Sequence, residues 1–294
     1  MARTFSGCLT ALVTPFDERG NVDEKVLVTL VDRQIEGGID GLVPCGTTGE
    51  SPTLSEEEQH RIIELVVGEA GGKIPVLAGA GSNSTRHAVH LAQAAEKAGA
   101  DGVLSVGPYY NKPTQEGYKI HFRQIAEAIG IPLVIYNIPG RTGGNITPAT
   151  LVELAETDNI VGVKEASGNL DQTMEILSRR PSGFALLSGE DHLTLPLIAL
   201  GGEGVISVLS NEVPREFAEM VHWGLKGDFE KARAIHNRLL ELSRANFIET
   251  SPIPVKTALS LMGLLRPVFR PPLCPMTAAN VPVLEGALRR LKLI

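Results

Sequence analysis

The chain has 294 residues, 43% of them hydrophobic and 21% charged, with a formal net charge of −7. That length suits one large α/β domain or two medium ones, and the apolar share excludes a disordered chain. The acidic balance argues against a general nucleic-acid binder, which presents a basic face.

No 18-residue apolar run occurs, and the N-terminal stretch MARTFSGCLTALVTPFDERG lacks a basic segment followed by a long apolar core. A cytoplasmic protein without membrane span or signal peptide is therefore expected. Cys8, Cys45 and Cys274 are odd in number, widely spaced and without a CxxC pair, so neither a disulfide framework nor a zinc site is indicated. Cys45, inside LVPCGTTG, reads as a small buried residue rather than a nucleophile.

In chain order, apolar runs alternate with amphipathic stretches. A strand candidate at 8–15 precedes a helix over 23–37 opened by Asp23, and a strand at 41–46 precedes a helix over 55–69. Ser55 followed by Glu58 is a capping-box pattern. Strands at 74–81, 102–108, 132–139 and 160–167 are followed by helices at 84–98, 115–129, 148–157 and 170–179. The last two units pair strands at 184–189 and 204–210 with helices at 191–200 and 213–225.

Eight βα units in about 225 residues match a (β/α)8 TIM barrel. Strands apolar at nearly every position suit a parallel sheet covered by helices. A doubly wound open sheet is the alternative, but eight regular units without a large insertion favour closure. Residues 226–294 hold three more helical patterns and a proline-rich link, RPVFRPPLCP, and read as a C-terminal helical appendage on a catalytic barrel of residues 1–225.

In such a barrel, chemistry sits at the C-terminal ends of the strands. Strand two ends in GTTGES with Thr47 and Thr48, and strand four in PYYNKP with Tyr109 and Tyr110. Strand five carries Tyr136 and leads into PGRTGG with Arg141, and strand six, IVGVKEAS, carries Lys164 and Glu165. Three of the chain's four tyrosines lie at these ends.

Lys164 is the outlier, because a charge inside a buried strand is unfavourable unless paired or used. Alternation puts either Val161, Val163 and Glu165 on one face, or Gly162, Lys164 and Ala166. The second set, facing inward, leaves room for a long side chain and a substrate. Ordinary lysine has a pKa of ~10.4, leaving about 1 in 2,500 neutral at pH 7, whereas desolvation to a pKa of roughly 7–8 makes the nucleophilic amine abundant. Neutral amine forms a Schiff base with a carbonyl. The alternative is an ammonium that snorkels to the barrel rim or pairs with a carboxylate.

Tyr136, on the adjacent strand, is placed to carry a proton or to be a core aromatic with a satisfied hydroxyl. GTTGE is a carboxylate-holding turn or a plain one. Arg141 suits bidentate carboxylate binding. GAGSNS (79–84) lacks the third glycine of a dinucleotide fingerprint, no P-loop or HExxH occurs, and the seven histidines fall mostly on helices, so no metal site is expected.

LVTPF, GTTGESPTLS, GPYYNKPTQEG, YNIPGRTG, GVKEASGNL, LLSGED, GVISV and SPIPVK, in this order along the whole chain, carry a resemblance. Together they are similar to the dihydrodipicolinate synthase and N-acetylneuraminate lyase family of class I Schiff-base (β/α)8 enzymes. The resemblance implies that Lys164 forms an imine with pyruvate, with no metal or organic cofactor. Thr47 and Thr48 hold the pyruvate carboxylate, and the Thr48 hydroxyl links a proton relay. Tyr136 is the central acid/base, and Tyr110 completes the relay in a neighbouring subunit. Gly189 and Ile206 lie beside the Schiff base.

Arg141 selects the synthase branch, since the lyase branch typically lacks an arginine after YNIP. The implied second substrate is then L-aspartate 4-semialdehyde, in lysine and diaminopimelate biosynthesis, and the implied assembly is a homotetramer built as a dimer of dimers. Another pyruvate-dependent aldolase or a 2-oxo acid dehydratase is the alternative with the same chemistry, and a non-catalytic binding protein the alternative from a different class.

Ser51, Pro52, Glu56, Gln59, Asn83, His87 and Tyr109 match the cleft where relatives bind lysine as an inhibitor. Strongly inhibited members tend to carry Glu at the position of His87, so weak or absent lysine feedback is expected, to be checked by initial rates against added lysine.

Overall fold

A computed structural model describes residues 5–294. Eight strands alternate with helices: β1 (Gly7–Ala11), β2 (Gly41–Val43), β3 (Leu77–Gly79), β4 (Gly102–Val106), β5 (Leu133–Asn137), β6 (Ile160–Glu165), β7 (Ala185–Ser188) and β8 (Gly204–Ser207). Between them run α1 (Glu24–Glu36), α2 (Glu56–Ala70), α3 (Thr85–Lys97), α4 (Gln115–Glu127), α5 (Pro139–Thr142), α6 (Pro148–Leu154), α7 (Leu170–Arg179) and α8 (Thr194–Ala199). After β8 come α9 (Pro214–Leu225), α10 (Phe229–Ala245), α11 (Ile253–Leu261) and α12 (Val281–Arg290).

All ladder pairings are parallel, in the order β2-β1-β8-β7-β6-β5-β4-β3. The two end strands meet through a parallel bridge, Leu42 to Val76. Backbone bonds from Leu42 N to the Pro75 carbonyl (3.0 Å) and from Gly79 N to the Pro44 carbonyl (2.9 Å) complete that seam. The sheet is a closed barrel, as expected, with a short seam at β2/β3.

The helices start where their caps dictate. The Asp23 carboxylate accepts from Val26 N at 3.2 Å, and Ser55 and Glu58 exchange both bonds of a capping box. Helix α2 turns Ile62, Ile63, Val66 and Ala70 inward, each large one contributing ~1.5–3 kcal/mol by leaving water. Gly71, in left-handed backbone, ends the helix by bonding the Val67 carbonyl. The short α5 is not expected from periodicity, because four residues are too few to show a period.

Two apolar clusters fill the molecule. One, with Leu9, Val43, Leu77, Leu104, Val134, Leu187 and Ile206, comes almost wholly from strands and is the barrel interior. The other lies between strands and helices, and the appended helices join it: Leu239, Leu242, Val255, Leu259, Leu284 and Leu288 share a core with Leu30 and Phe217. Val163 belongs to the outer cluster and Ala166 to the inner one. Strand β6 therefore turns Lys164 and Ala166 into the barrel, while an irregularity at its start brings Val161 against the inner cluster as well.

Candidate active site

Register decides what faces Lys164. Tyr136 on β5 pairs with Lys164 on β6, and Lys164 pairs with Leu187 on β7. The Lys164 amine sits 4.4 Å from the centre of the Tyr136 ring, and both residues are 6% exposed. Gly189 is a glycine for a local reason: a Cβ there would stand 3.1 Å from Lys164 Cε and 2.5 Å from the Ala166 Cβ. Ile206, fully buried on β8, closes the inner wall.

Burial lowers the Lys164 pKa to about 8, with Asp191 and Glu190 pulling it back up and the Arg141 charge pushing it further down. Burial also raises the Tyr136 phenol, an effect opposed by Arg141 and reinforced by Glu190. Asp191 is held by Val208 N (3.2 Å) and Leu209 N (2.9 Å), and burial nonetheless raises its pKa. Glu190 is raised for the same first cause, and then by Asp191. Glu165 points the other way, accepting from Ser167 N (2.7 Å), Asn137 Nδ2 (3.0 Å) and Gln172 Nε2 (3.1 Å), and so anchors the end of β6.

The threonine turn hangs from β2. Gly49 N donates to the Gly46 carbonyl (3.1 Å) and Glu50 N to the Thr47 carbonyl (3.1 Å), while Thr14 Oγ1 donates to the Gly49 carbonyl (2.7 Å). Thr47 is hydrogen-bonded through its side chain to the Tyr136 phenol. Thr48, which the resemblance gives as the link to the relay, is buried one residue further along the turn.

Arg141, on α5, is exposed and donates to the Ser251 carbonyl at 3.0 Å. A cavity of about 380 Å³ opens here, and Thr47, Tyr136 and Arg141 are among the residues that line it. Tyr136, not Lys164, forms its wall at that point.

Ser51, Pro52, Glu56, Gln59, His87 and Tyr109 line the same cavity, so the expected effector cleft and the mouth of the candidate active site are continuous. Asn83 does not line it, and its carbonyl accepts from Asn111 Nδ2 at 2.8 Å. The Glu56 carboxylate is engaged by His87 Nε2 and His90 Nε2, each at 3.0 Å, and His87 Nδ1 meets Ser82 Oγ at 3.2 Å. Tyr110 is not part of the chain's own site: it is 89% exposed, on left-handed backbone at φ 71°. Among the described residues, no cluster of three or more His, Cys, Asp or Glu is arranged to hold a metal ion.

A buried, depressed lysine amine against a tyrosine, with a hydroxyl-bearing turn and a guanidinium at the mouth, is equipped to capture a small keto acid. Comparison with known proteins bears on the family. The profile of the dihydrodipicolinate synthetase family matches residues 4–291. The chain belongs to that family.

Among members of the dihydrodipicolinate synthetase family, the 4-hydroxy-tetrahydrodipicolinate synthase of Chlorobium phaeobacteroides (strain BS1) is 53% identical over 293 residues, 99% of each chain. The crystal structure of dihydrodipicolinate synthase from Aquifex aeolicus superposes with a TM-score of 0.96 at 48% identity, covering 98% of this chain and 99% of that one. A solved structure described as the first monomeric dihydrodipicolinate synthase variant superposes with a TM-score of 0.97 at 43% identity, covering 99% and 98%.

Sequence reasoning leaves several contributors without a role. Glu190 and Asp191 stand in the LLSGED motif, where two adjacent acids after a strand are the available signal. Ser251 and Lys256 stand in SPIPVK, and a lysine among apolar residues on a helix is again the signal.

Proposed function

We propose that this chain catalyses the 4-hydroxy-tetrahydrodipicolinate synthase reaction, a Schiff-base lyase reaction that joins pyruvate to L-aspartate 4-semialdehyde. The neutral amine of Lys164 adds to the pyruvate carbonyl carbon, and the carbinolamine loses water to leave an imine. Protonated, that imine acidifies the pyruvate methyl group. Loss of a methyl proton gives an enamine, which attacks the aldehyde carbon. The substrate's own amine then displaces Lys164 and closes the ring, returning the free lysine.

Tyr136 carries the protons, and its bond to Thr47 is the first link of its relay. Thr47 and Thr48 hold the pyruvate carboxylate, Arg141 receives the carboxylate of the second substrate, and Gly189 and Ile206 bound the space around the imine. The exposed Tyr110 reaches the site of a second copy, within a homotetramer assembled as a dimer of dimers. That a monomeric variant among the relatives is described as the first of its kind supports assembly as the usual state. Three free thiols at Cys8, Cys45 and Cys274 fit a reducing, cytoplasmic setting.

The observation that carries the reading is the buried Lys164 amine 4.4 Å from the Tyr136 ring, with its pKa lowered to about 8. Incubation with pyruvate and borohydride, followed by peptide mass mapping, is the test. The expected result is the reduced pyruvyl adduct on the peptide containing Lys164. Label on any other lysine, or none, overturns the assignment.

A further inference from the structure

A second lysine is even more deeply buried. Lys256, on α11, is 0% exposed, and its ammonium donates to the Glu50 carboxylate, itself fully buried, and to the Val268 carbonyl at 2.7 Å. The Phe16 ring lies 4.3 Å from the amine and the Phe269 ring 5.0 Å. The other Glu50 oxygen accepts from Arg270 N at 3.2 Å. Every polar atom of this buried group thus has a partner supplied by residues 256–270.

Glu50 is the hinge of the threonine turn. It adopts left-handed backbone at φ 57°, a region that non-glycine residues occupy only when held there. Its N–H donates to the Thr47 carbonyl, and its own carbonyl accepts from Thr53 N and Thr53 Oγ1, each at 3.0 Å. Arg270 fastens the far side, donating to the Thr53 carbonyl (2.8 Å), the Gly20 carbonyl and the Glu58 carboxylate that caps α2. Five residues before Lys256, the Ser251 carbonyl holds Arg141. One short C-terminal stretch therefore grips both lips of the site, the threonine turn on one side and the arginine on the other.

We infer that the buried Lys256–Glu50 pair is a positioning device for pyruvate capture: it holds the strained turn so that Thr47 and Thr48 meet the substrate carboxylate. A buried ion pair is weak evidence of stabilisation, since packed apolar residues often do as well. What it supplies is a fixed direction. Glu50 has one hydrogen-bonding geometry that satisfies Lys256 and Arg270 together, and that geometry fixes the backbone between Thr47 and Thr53. Glu50 is not among the groups that act on the Lys164 amine, so its influence on the chemistry runs through the turn.

The inference rests on the pyruvate reading above, and its test separates the two. Borohydride trapping is measured against pyruvate concentration for the wild-type chain, Glu50→Gln, and the double variant Glu50→Gln with Lys256→Met, which leaves no unpaired buried charge. Steady-state KM is measured for pyruvate and for the aldehyde, with circular dichroism to confirm folding. The expected result for the folded variants is a pyruvate half-saturation raised about 10-fold or more, as a misplacement well under 1 Å at a binding group produces. The aldehyde KM and the pH midpoint of trapping should stay near their wild-type values.

A wild-type chain that traps no pyruvate sinks the functional reading. A wild-type chain that traps it, beside folded variants with unchanged pyruvate half-saturation, overturns the positioning role alone. So does a uniform fall in rate with both KM values unmoved. A double variant that does not fold marks the pair as part of the fold only, and overturns the inference as well.

Discussion

Lys164 and Lys256 both carry an amine out of water, at 6% and 0% exposure, and both amines lie just over 4 Å from an aromatic ring centre. Their surroundings differ in what completes them. Lys256 has a carboxylate and a carbonyl within hydrogen-bond reach, whereas for Lys164 no hydrogen bond or ion pair is formed among the described residues. Burial lowers the pKa of both. For Lys256 that effect is answered by Glu50, through charge and hydrogen bond together. For Lys164 the acids act only through space, and the amine is left poised near pH 8. The lesson is that depth alone does not make a lysine reactive; depth without a partner does.

The largest consequence of that contrast is chemical. Lys164→Met should lower turnover by on the order of 10³-fold or more, because the proposed imine forms on that amine. Lys256→Met should still yield a trappable adduct at saturating pyruvate wherever it folds. Parallel turnover and trapping assays on the two variants check this, and comparable losses in both would erase the distinction.

Stability should move in opposite directions. Lys256→Met leaves Glu50 buried and unpaired, and about 3–5 kcal/mol should be lost in urea unfolding at pH 7. Lys164→Met removes a buried charge that has no partner, and about 1–3 kcal/mol should be gained. The sign follows from proton counts. Below pH 8 both folded and unfolded lysine are charged, and the folded chain carries the full penalty. Between pH 8 and ~10.4 the folded lysine sheds its proton first, so wild-type stability rises with pH across that window. The advantage of Lys164→Met should therefore shrink as the pH is raised through it, and a constant or growing advantage would contradict the assignment.

The smallest effect sharpens the acids' part. The rate of pyruvate adduct formation should rise with pH to a plateau above about 8, as the neutral amine accumulates. Asp191 pulls that midpoint up, so Asp191→Asn should bring it down by a fraction of a unit to about one unit. A midpoint that stays put or climbs would remove Asp191 from the electrostatics of the site.

Much of this was readable in the residues themselves, where local signals are strong. Ser55 and Glu58 mark the start of α2 to the residue, and the α7 range of 170–179 is the same in pattern and structure. Lys164 stands out because a charge interrupts an otherwise apolar run, and the small Gly162 and Ala166 beside it already favour the inward face. The β2/β3 seam is less legible, since a strand of three residues carries no alternation to read. Long-range pairing is not legible at all. Glu50 and Lys256 are 206 residues apart, and nothing local tells either that the other exists. The left-handed backbone at Cys45, Glu50 and Tyr110 is equally hidden, because none is a glycine and surrounding contacts impose the conformation.

That separation has a consequence for how the protein is made. Translation delivers Glu50 206 residues ahead of its counter-charge, so the nascent barrel passes a long stretch of its synthesis with that acid unanswered. A chain that stops short of Lys256 would still carry Lys164, Tyr136, Thr47 and Arg141, and would leave the threonine turn without its anchor.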